Sequence, residues 1–114
     1  MQILGLVFAG TATDRRPEMA AFVRDVLALP QVDVAGASAD MFELPDGSRF
    51  AVSGPREMGE TSRTLGFLVA DLDAALVELR VAGYWTDEPA RNELYRYAHF
   101  RPPDGQLYEL VEEA

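Results

Sequence analysis

The sequence predicts an α+β domain made of two tandem copies of one unit, in which a strand and a helix are followed by three strands (βαβββ). The tripeptide Pro-Asp-Gly at residues 45–47 recurs at residues 103–105, and alternating apolar residues follow both copies. A run typical of a strand leads into a helix at Asp14, and another leads into a helix at Asp71. Because the same order of predicted strands and helices occurs twice, we expect the two halves of the chain to fold alike.

The repeat also sets the expected domain organisation. All 114 residues suit a single domain. We expect it to consist of module 1–53 and module 64–114, joined by a linker over residues 54–63. The linker has no hydrophobic periodicity and is predicted to be the most mobile segment. Two sheets that are each covered by a helix on one face are expected to join and curve around a cleft between the modules.

In the first module, residues 1–10 are apolar but lack the basic start of a signal peptide, so they predict a buried strand. A helix follows, with Pro17 in its first turn and Pro30 at its end. Its buried face is predicted from helical spacing to be Met19, Phe22, Val23, Val26 and Leu27. Strands are expected over residues 32–35, 39–44 and 49–53.

In the second module, a strand is expected to place Leu65, Phe67 and Val69 against a helix and Thr64, Gly66 and Leu68 on the open face. Asp71 is the expected N-cap of that helix and Gly83 its C-cap. The apolar stripe between them is Leu72, Leu76 and Leu79. Strands are predicted over residues 84–88, 95–101 and 107–112.

Each Pro-Asp-Gly loop predicts a three-residue hairpin with its glycine in the left-handed region. This register places His99 opposite Glu109, and Met41 opposite Ala51. Ala98, Phe100, Tyr108 and Leu110 then face the helix. The open face of the second module is predicted to carry Tyr95, Tyr97, His99, Arg101, Leu107, Glu109 and Val111.

Composition excludes several functions. Ten basic and 19 acidic residues give a net charge of -9, which argues against binding nucleic acid or an anionic membrane. No stretch reaches the ~20 apolar residues of a membrane span. There is no Cys, hence no thiolate metal site and no Cys nucleophile, and a cytoplasmic location is expected. We find no phosphate-binding glycine loop or dinucleotide fingerprint.

Residues 22–29 (FVRDVLAL) and 100–110 (FRPPDGQLYEL), together with the repeat, resemble the vicinal oxygen chelate superfamily. This group includes glyoxalase I, extradiol dioxygenases, and fosfomycin- and bleomycin-resistance proteins. The resemblance covers essentially the whole chain. It implies a glyoxalase-like, curved, eight-stranded mixed sheet around a cleft, and a homodimer.

The resemblance also implies where a divalent metal would be bound, on the first and last strands of each module. Glu109 matches the last ligand. The other positions fall on Thr64, on Ala51 and near residues 6–8, where this sequence has no strong ligand. We therefore expect no metal cofactor, and an improvised site of Glu43, His99 and Glu109 is the weaker alternative.

The function expected from these features is metal-free binding of a small organic, aromatic ligand, similar to the antibiotic-sequestering branch of the superfamily. The predicted ligand-binding residues are Tyr97, His99, Glu109, Thr64, Arg101, Phe8 and Trp85. Structural roles stay open beside this, because His99 and Glu109 could simply pair across strands and the aromatic rings could simply pack. An enzyme (lyase, isomerase or dioxygenase), with metal or with the His99 and Glu109 pair alone, and a non-catalytic interaction subunit are the alternative functions.

Overall fold

The structure is a computed structural model that describes residues 1–55 and 62–114. Residues 56–61, most of the predicted linker, lie outside the described residues, so the predicted mobility of that stretch is untested. The described part contains eight strands and two helices. They are β1 (Ile3–Ala12), α1 (Arg16–Ala21) continued by a π-helical turn (Phe22–Val26), β2 (Gln31–Val32), β3 (Asp40–Glu43), β4 (Arg49–Ser53), β5 (Ser62–Val69), α2 (Leu72–Val81), β6 (Ala90–Arg91), β7 (Tyr95–Phe100) and β8 (Tyr108–Glu113).

The strands form one curved sheet in the order β2-β3-β4-β1-β5-β8-β7-β6. Strands β1 and β5 are antiparallel in its centre, while β1 with β4 and β5 with β8 are parallel. Each half of the sheet therefore repeats the same arrangement. The predicted α+β fold, with a mixed eight-stranded sheet, is confirmed. The division at residues 53 and 64 stays a prediction, and β5 begins at Ser62.

The second helix agrees with its sequence pattern. The Asp71 side chain accepts a hydrogen bond from the Ala74 N–H at 3.1 Å, as an N-cap does. Gly83 follows the helix with a φ of 93°, where a residue with a Cβ would be strained. Leu72 and Leu76 are buried in a core that β5, β7 and β8 complete with Val69, Ala98 and Leu110.

The first helix differs from the prediction. It has no side-chain cap, Arg15 rather than Asp14 precedes it, and Ala20 and Val23 supply its buried contacts. The exposed side chains Phe22, Val26 and Leu27 were expected in the core. The Leu27 N–H bonds to the Phe22 carbonyl, and this i→i+5 bond widens the turn, so a spacing of three or four no longer keeps side chains on one face.

One strand prediction is wrong. Residues 84–88 form no strand, and the edge strand is β6 instead. Thr86 makes a single bridge to Phe100, after which the Asp87 side chain bonds the His99 N–H. The Asp87 N–H still donates to the His99 carbonyl, but for the His99 N–H a side-chain acceptor takes the place of a backbone carbonyl. The predicted strands over 32–35 and 39–44 are shorter in the structure, whereas the first strand extends to Ala12.

Both hairpins have the predicted register. His99 pairs with Glu109, and Met41 pairs with Ala51. Gly47 and Gly105 have φ values of 86° and 75°, which is the left-handed region that the turn requires. In the part of the chain that is described, no helix is long and apolar enough to cross a membrane.

Candidate functional site

A cavity of about 150 Å³ lies on the face of the sheet opposite the helices. Strand alternation explains its position, because Ala51 and His99 line it while their neighbours Val52 and Ala98 belong to the helix-facing cores. Strands from both halves of the chain contribute to its wall, and residues 37–39 form part of its rim. The cavity is therefore shared between the two halves.

The structure brings five of the seven predicted site residues together at this cavity. They are Phe8, Thr64, Tyr97, His99 and Glu109. Arg101 and Trp85 do not line it. The Arg101 guanidinium donates to the Gly105 carbonyl at 2.9 Å, beyond the end of the β7–β8 ladder, and Trp85 is 54% exposed.

The centre of the site is a row of three ionisable side chains. His99 Nδ1 lies 2.8 Å from Asp87 Oδ2, and His99 Nε2 lies 3.3 Å from Glu109 Oε2. The His99 N–H also donates to Asp87 Oδ1 at 2.6 Å. Asp87 is not among the site residues predicted from the sequence. The predicted strand over 84–88 implies backbone pairing there and no contact between the Asp87 carboxylate and His99.

These contacts set the charge of the imidazole. Burial lowers the pKa of His99, but the hydrogen bonds to Glu109 and Asp87 and their negative charge outweigh it and raise the pKa above its ordinary value. When the imidazole is protonated, both ring nitrogens donate, each to a carboxylate oxygen. With His99 protonated, Asp87, His99 and Glu109 together carry a net charge of -1.

Glu109 is 5% exposed and pairs with Gly66 on the neighbouring strand. A Cβ on Gly66 would lie 2.9 Å from Phe8 Cβ and 3.0 Å from Val111 Cγ2. Glycine is therefore needed where Phe8 and Val111 approach each other next to the carboxylate. An apolar surface thus adjoins the buried charge.

The remaining wall combines aromatic rings with small polar groups. The Tyr97 ring meets the His99 ring edge-on, with centroids 5.8 Å apart. Tyr95 is buried, which raises the pKa of its hydroxyl. Four polar lining residues escape the sequence-based set, because strand ends and loops place them: Thr11, Ser38, Ser53 and Asn92.

The positions that correspond to metal ligands do converge here. Gly10 pairs with Ala51 on one side and with Thr64 on the other, and all three line the cavity with Glu109. Their side chains supply only one carboxylate. Within residues 1–55 and 62–114, no three His, Asp or Glu side chains are grouped as a metal ion would need. Both ring nitrogens of His99 already contact carboxylates, so the described donor set does not fit a divalent metal.

The improvised alternative with Glu43 is not assembled. Glu43 does not line the cavity, and its carboxylate lies 3.4 Å from the Arg49 guanidinium.

No family model matches this chain, and no curated protein matches it in sequence. Solved structures do match. Methylmalonyl-CoA epimerase from Mycobacterium tuberculosis superposes with a TM-score of 0.77 at 22% identity, covering 98% of this chain and 89% of the epimerase. A variant of the Streptomyces coelicolor methylmalonyl-CoA epimerase, in complex with 2-nitronate-propionyl-CoA, gives 0.74 at 22% identity and covers 99% of both chains.

A hypothetical protein from Bacillus halodurans matches with a TM-score of 0.71 at 19% identity, covering 96% of this chain and 94% of the other. At these identities the likeness concerns the backbone arrangement. The chain therefore has the same fold as these structures. It is the glyoxalase-like fold that the resemblance to the vicinal oxygen chelate superfamily implies.

Proposed function

We propose that this protein binds a small organic molecule in the cavity between its two halves, without a metal ion. The observation that carries the proposal is the cavity itself, about 150 Å³ with a wall of aromatic rings and small side chains and with a buried carboxylate. A protein cavity of roughly this size holds a molecule such as benzene. The ligand is then a compound of that size, or the end of a larger one.

The donor set supports the metal-free part of the proposal. Ala51 and Thr64 stand where the resemblance requires ligands, and neither supplies a charged or strongly coordinating atom. His99 is held between two carboxylates. A divalent ion would have to break one of these ion pairs to gain a second ligand.

The test is a thermal-shift screen of small aromatic and aliphatic amines, alcohols, keto acids and antibiotics. Each compound is measured with EDTA and, separately, with Ni²⁺, Mn²⁺ or Zn²⁺. Compounds that raise the melting temperature in EDTA are then titrated against Ala51→Phe and Ala37→Phe, which fill the cavity from its floor and from its rim. Val81→Phe is the matched control, because Val81 is 83% exposed, lies outside the cavity and is not on the surface proposed for a second copy.

We expect at least one compound to bind wild type and Val81→Phe equally and both cavity-filled variants at least tenfold more weakly. Hits that depend on added metal, or a screen without any hit that cavity filling abolishes, would contradict the proposal.

A metal-independent proton-transfer enzyme is the second candidate. It is favoured by the fold of the epimerase structures and by the carboxylate of Glu109 beside an imidazole in the cavity. The substrate class would be an acyl thioester with an acidic α-hydrogen. Incubating the protein with methylmalonyl-CoA in D₂O and EDTA tests it, since catalysed deuterium incorporation would support this candidate, and exchange at the uncatalysed rate would remove it.

A homodimer and a cytoplasmic location are part of the same proposal. The fold supports the dimer by analogy, and the exposed Ile3, Leu4 and Leu6 on β1, before its pairing with β4 begins at Phe8, offer an apolar surface for a second copy. Sedimentation equilibrium of wild type and of Leu6→Asp tests the dimer. A monomer at all concentrations would contradict it.

A further inference from the structure

We infer that the ligand is a small organic cation, an ammonium group attached to an apolar or aromatic body, with the Glu109 carboxylate as its anchor. This inference rests on the proposed binding function. It is drawn from the charge, the aromatic wall and the size of the cavity.

The charge of the site favours a cation. His99 and Glu109 line the cavity and Asp87 contacts His99 from the other side, so among the described residues of this cluster two carboxylates share one imidazole. All ten basic residues of the chain are arginines, and none of the residues described as lining the cavity is one of them. Because Glu109 is only 5% exposed, its charge attracts an opposite charge more strongly than a carboxylate on the surface would.

Arg49 also affects the charge of the site, because its guanidinium acts to lower the pKa of Tyr95, which lines the cavity. Its side chain ion-pairs with Glu43 and donates to the Gly47 carbonyl. The charge of Arg49 is therefore balanced by Glu43, not by the carboxylates beside His99. Glu109 keeps acceptor capacity beyond its contact with His99, because a carboxylate has about four lone-pair sites.

The aromatic wall supplies a second attraction. Phe8, Tyr95 and Tyr97 surround the space beside Glu109, and the faces of such rings attract ammonium groups. A neutral alcohol would donate one hydrogen bond to Glu109. It would gain neither the attraction between opposite charges nor the attraction between a cation and the aromatic rings. A carboxylic acid would be repelled.

Benzylamine, benzyl alcohol and benzoate test this directly, because they share a ring of the size that the cavity holds and differ in the charge of one group. Each is titrated into the full chain by calorimetry at pH 7 in EDTA. We expect benzylamine to bind at least tenfold more tightly than benzyl alcohol, and benzoate not to bind. Glu109→Gln should weaken benzylamine at least tenfold and leave benzyl alcohol within about twofold.

Glu88→Gln is the matched control, since it removes the same charge from an exposed position next to Asp87. It should leave benzylamine binding unchanged. If Glu109→Gln does not fold, the comparison of the three probes on wild type decides alone.

Several results would overturn the inference. The inference of a cationic ligand is contradicted if benzyl alcohol binds as tightly as benzylamine, or if the Glu109→Gln variant keeps its preference for the amine. Either result leaves the proposed binding function intact. A screen that yields only neutral or anionic cavity ligands contradicts the inference in the same way. A screen in which cavity filling abolishes no hit removes the binding function and this inference with it.

Discussion

Ala35 and Glu93 hydrogen-bond to each other twice, although they lie beyond opposite edges of the sheet. The Glu93 N–H donates to the Ala35 carbonyl at 2.7 Å, and the Glu93 carboxylate accepts from the Ala35 N–H at 2.9 Å. Ala35 follows β2 and Glu93 follows β6, the first and last strands in the sheet order. These bonds connect the two ends of the curved sheet beside the cavity rim, which residues 37–39 and Asn92 line.

Glu93→Ala should loosen this rim. It removes the acceptor of the Ala35 N–H, and one hydrogen bond contributes about 1 kcal/mol. We therefore expect hydrogen exchange of the Ala35 amide to become about fivefold faster, with no comparable change in the β7–β8 ladder. Hydrogen exchange followed by NMR makes the measurement, and Glu88→Ala is the control. Unchanged exchange at Ala35 would mean that the rim is held by other contacts.

The pairing of His99 should make stability depend on pH. Because the pKa of His99 is raised in the folded state, the native protein binds more protons than the unfolded chain above pH ~6.5. The stabilisation is complete below that pH and disappears as the pH rises through the folded pKa. The free energy of unfolding should therefore fall between pH 6 and pH 9.

Urea unfolding of wild type and His99→Gln at several pH values in this range measures the effect. His99 is the only histidine, so the difference between the two proteins isolates the imidazole. We expect the advantage of wild type to shrink steadily as the pH rises. A difference that stays constant or grows would show that His99 is not held in its charged form.

Sequence reasoning is most accurate where local geometry decides. The Pro-Asp-Gly turns fix the hairpin register, and hence the meeting of His99 with Glu109, because glycine in the left-handed region permits one pairing. It fails where long-range contacts decide. Asp87 reaches His99 through its side chain, and the Ala35–Glu93 contact joins residues that are distant in sequence. Neither leaves a periodic signal.

The first helix shows the same limit in its core. Helical spacing predicts that Val23 and Val26 are both buried. In the structure Val23 is fully buried against Phe42 and Val52, while Val26 is 68% exposed. Val23→Ala should lower the free energy of unfolding by about 2 kcal/mol, because it removes buried methyl groups. Val26→Ala should change it by less than about 0.5 kcal/mol. Urea unfolding of both variants at low protein concentration makes the comparison. Equal decreases in the free energy of unfolding would contradict the structure and support the regular helix that the sequence predicts.

The convergence of Ala51, Thr64 and Glu109 on one cavity allows a stronger test of the proposed loss of metal binding. Ala51→Glu together with Thr64→His restores two ligand types at positions that flank Gly10 on the neighbouring strands. Those strands are about 10 Å apart across β1, so a long carboxylate and an imidazole can meet over the cavity next to Glu109. We expect the double variant to bind Ni²⁺ or Zn²⁺ at least tenfold more tightly than wild type, measured by calorimetry.

Thr64 is 2% exposed, so the larger imidazole should lower the free energy of unfolding by about 1 to 3 kcal/mol. Circular dichroism must therefore establish that the double variant is folded before its affinity is compared. Adding Glu109→Gln to it should abolish the gain, because the third ligand is then lost. A folded double variant that binds metal no better than wild type, or one that keeps its gain without Glu109, would mean that these three positions do not form the corresponding metal site.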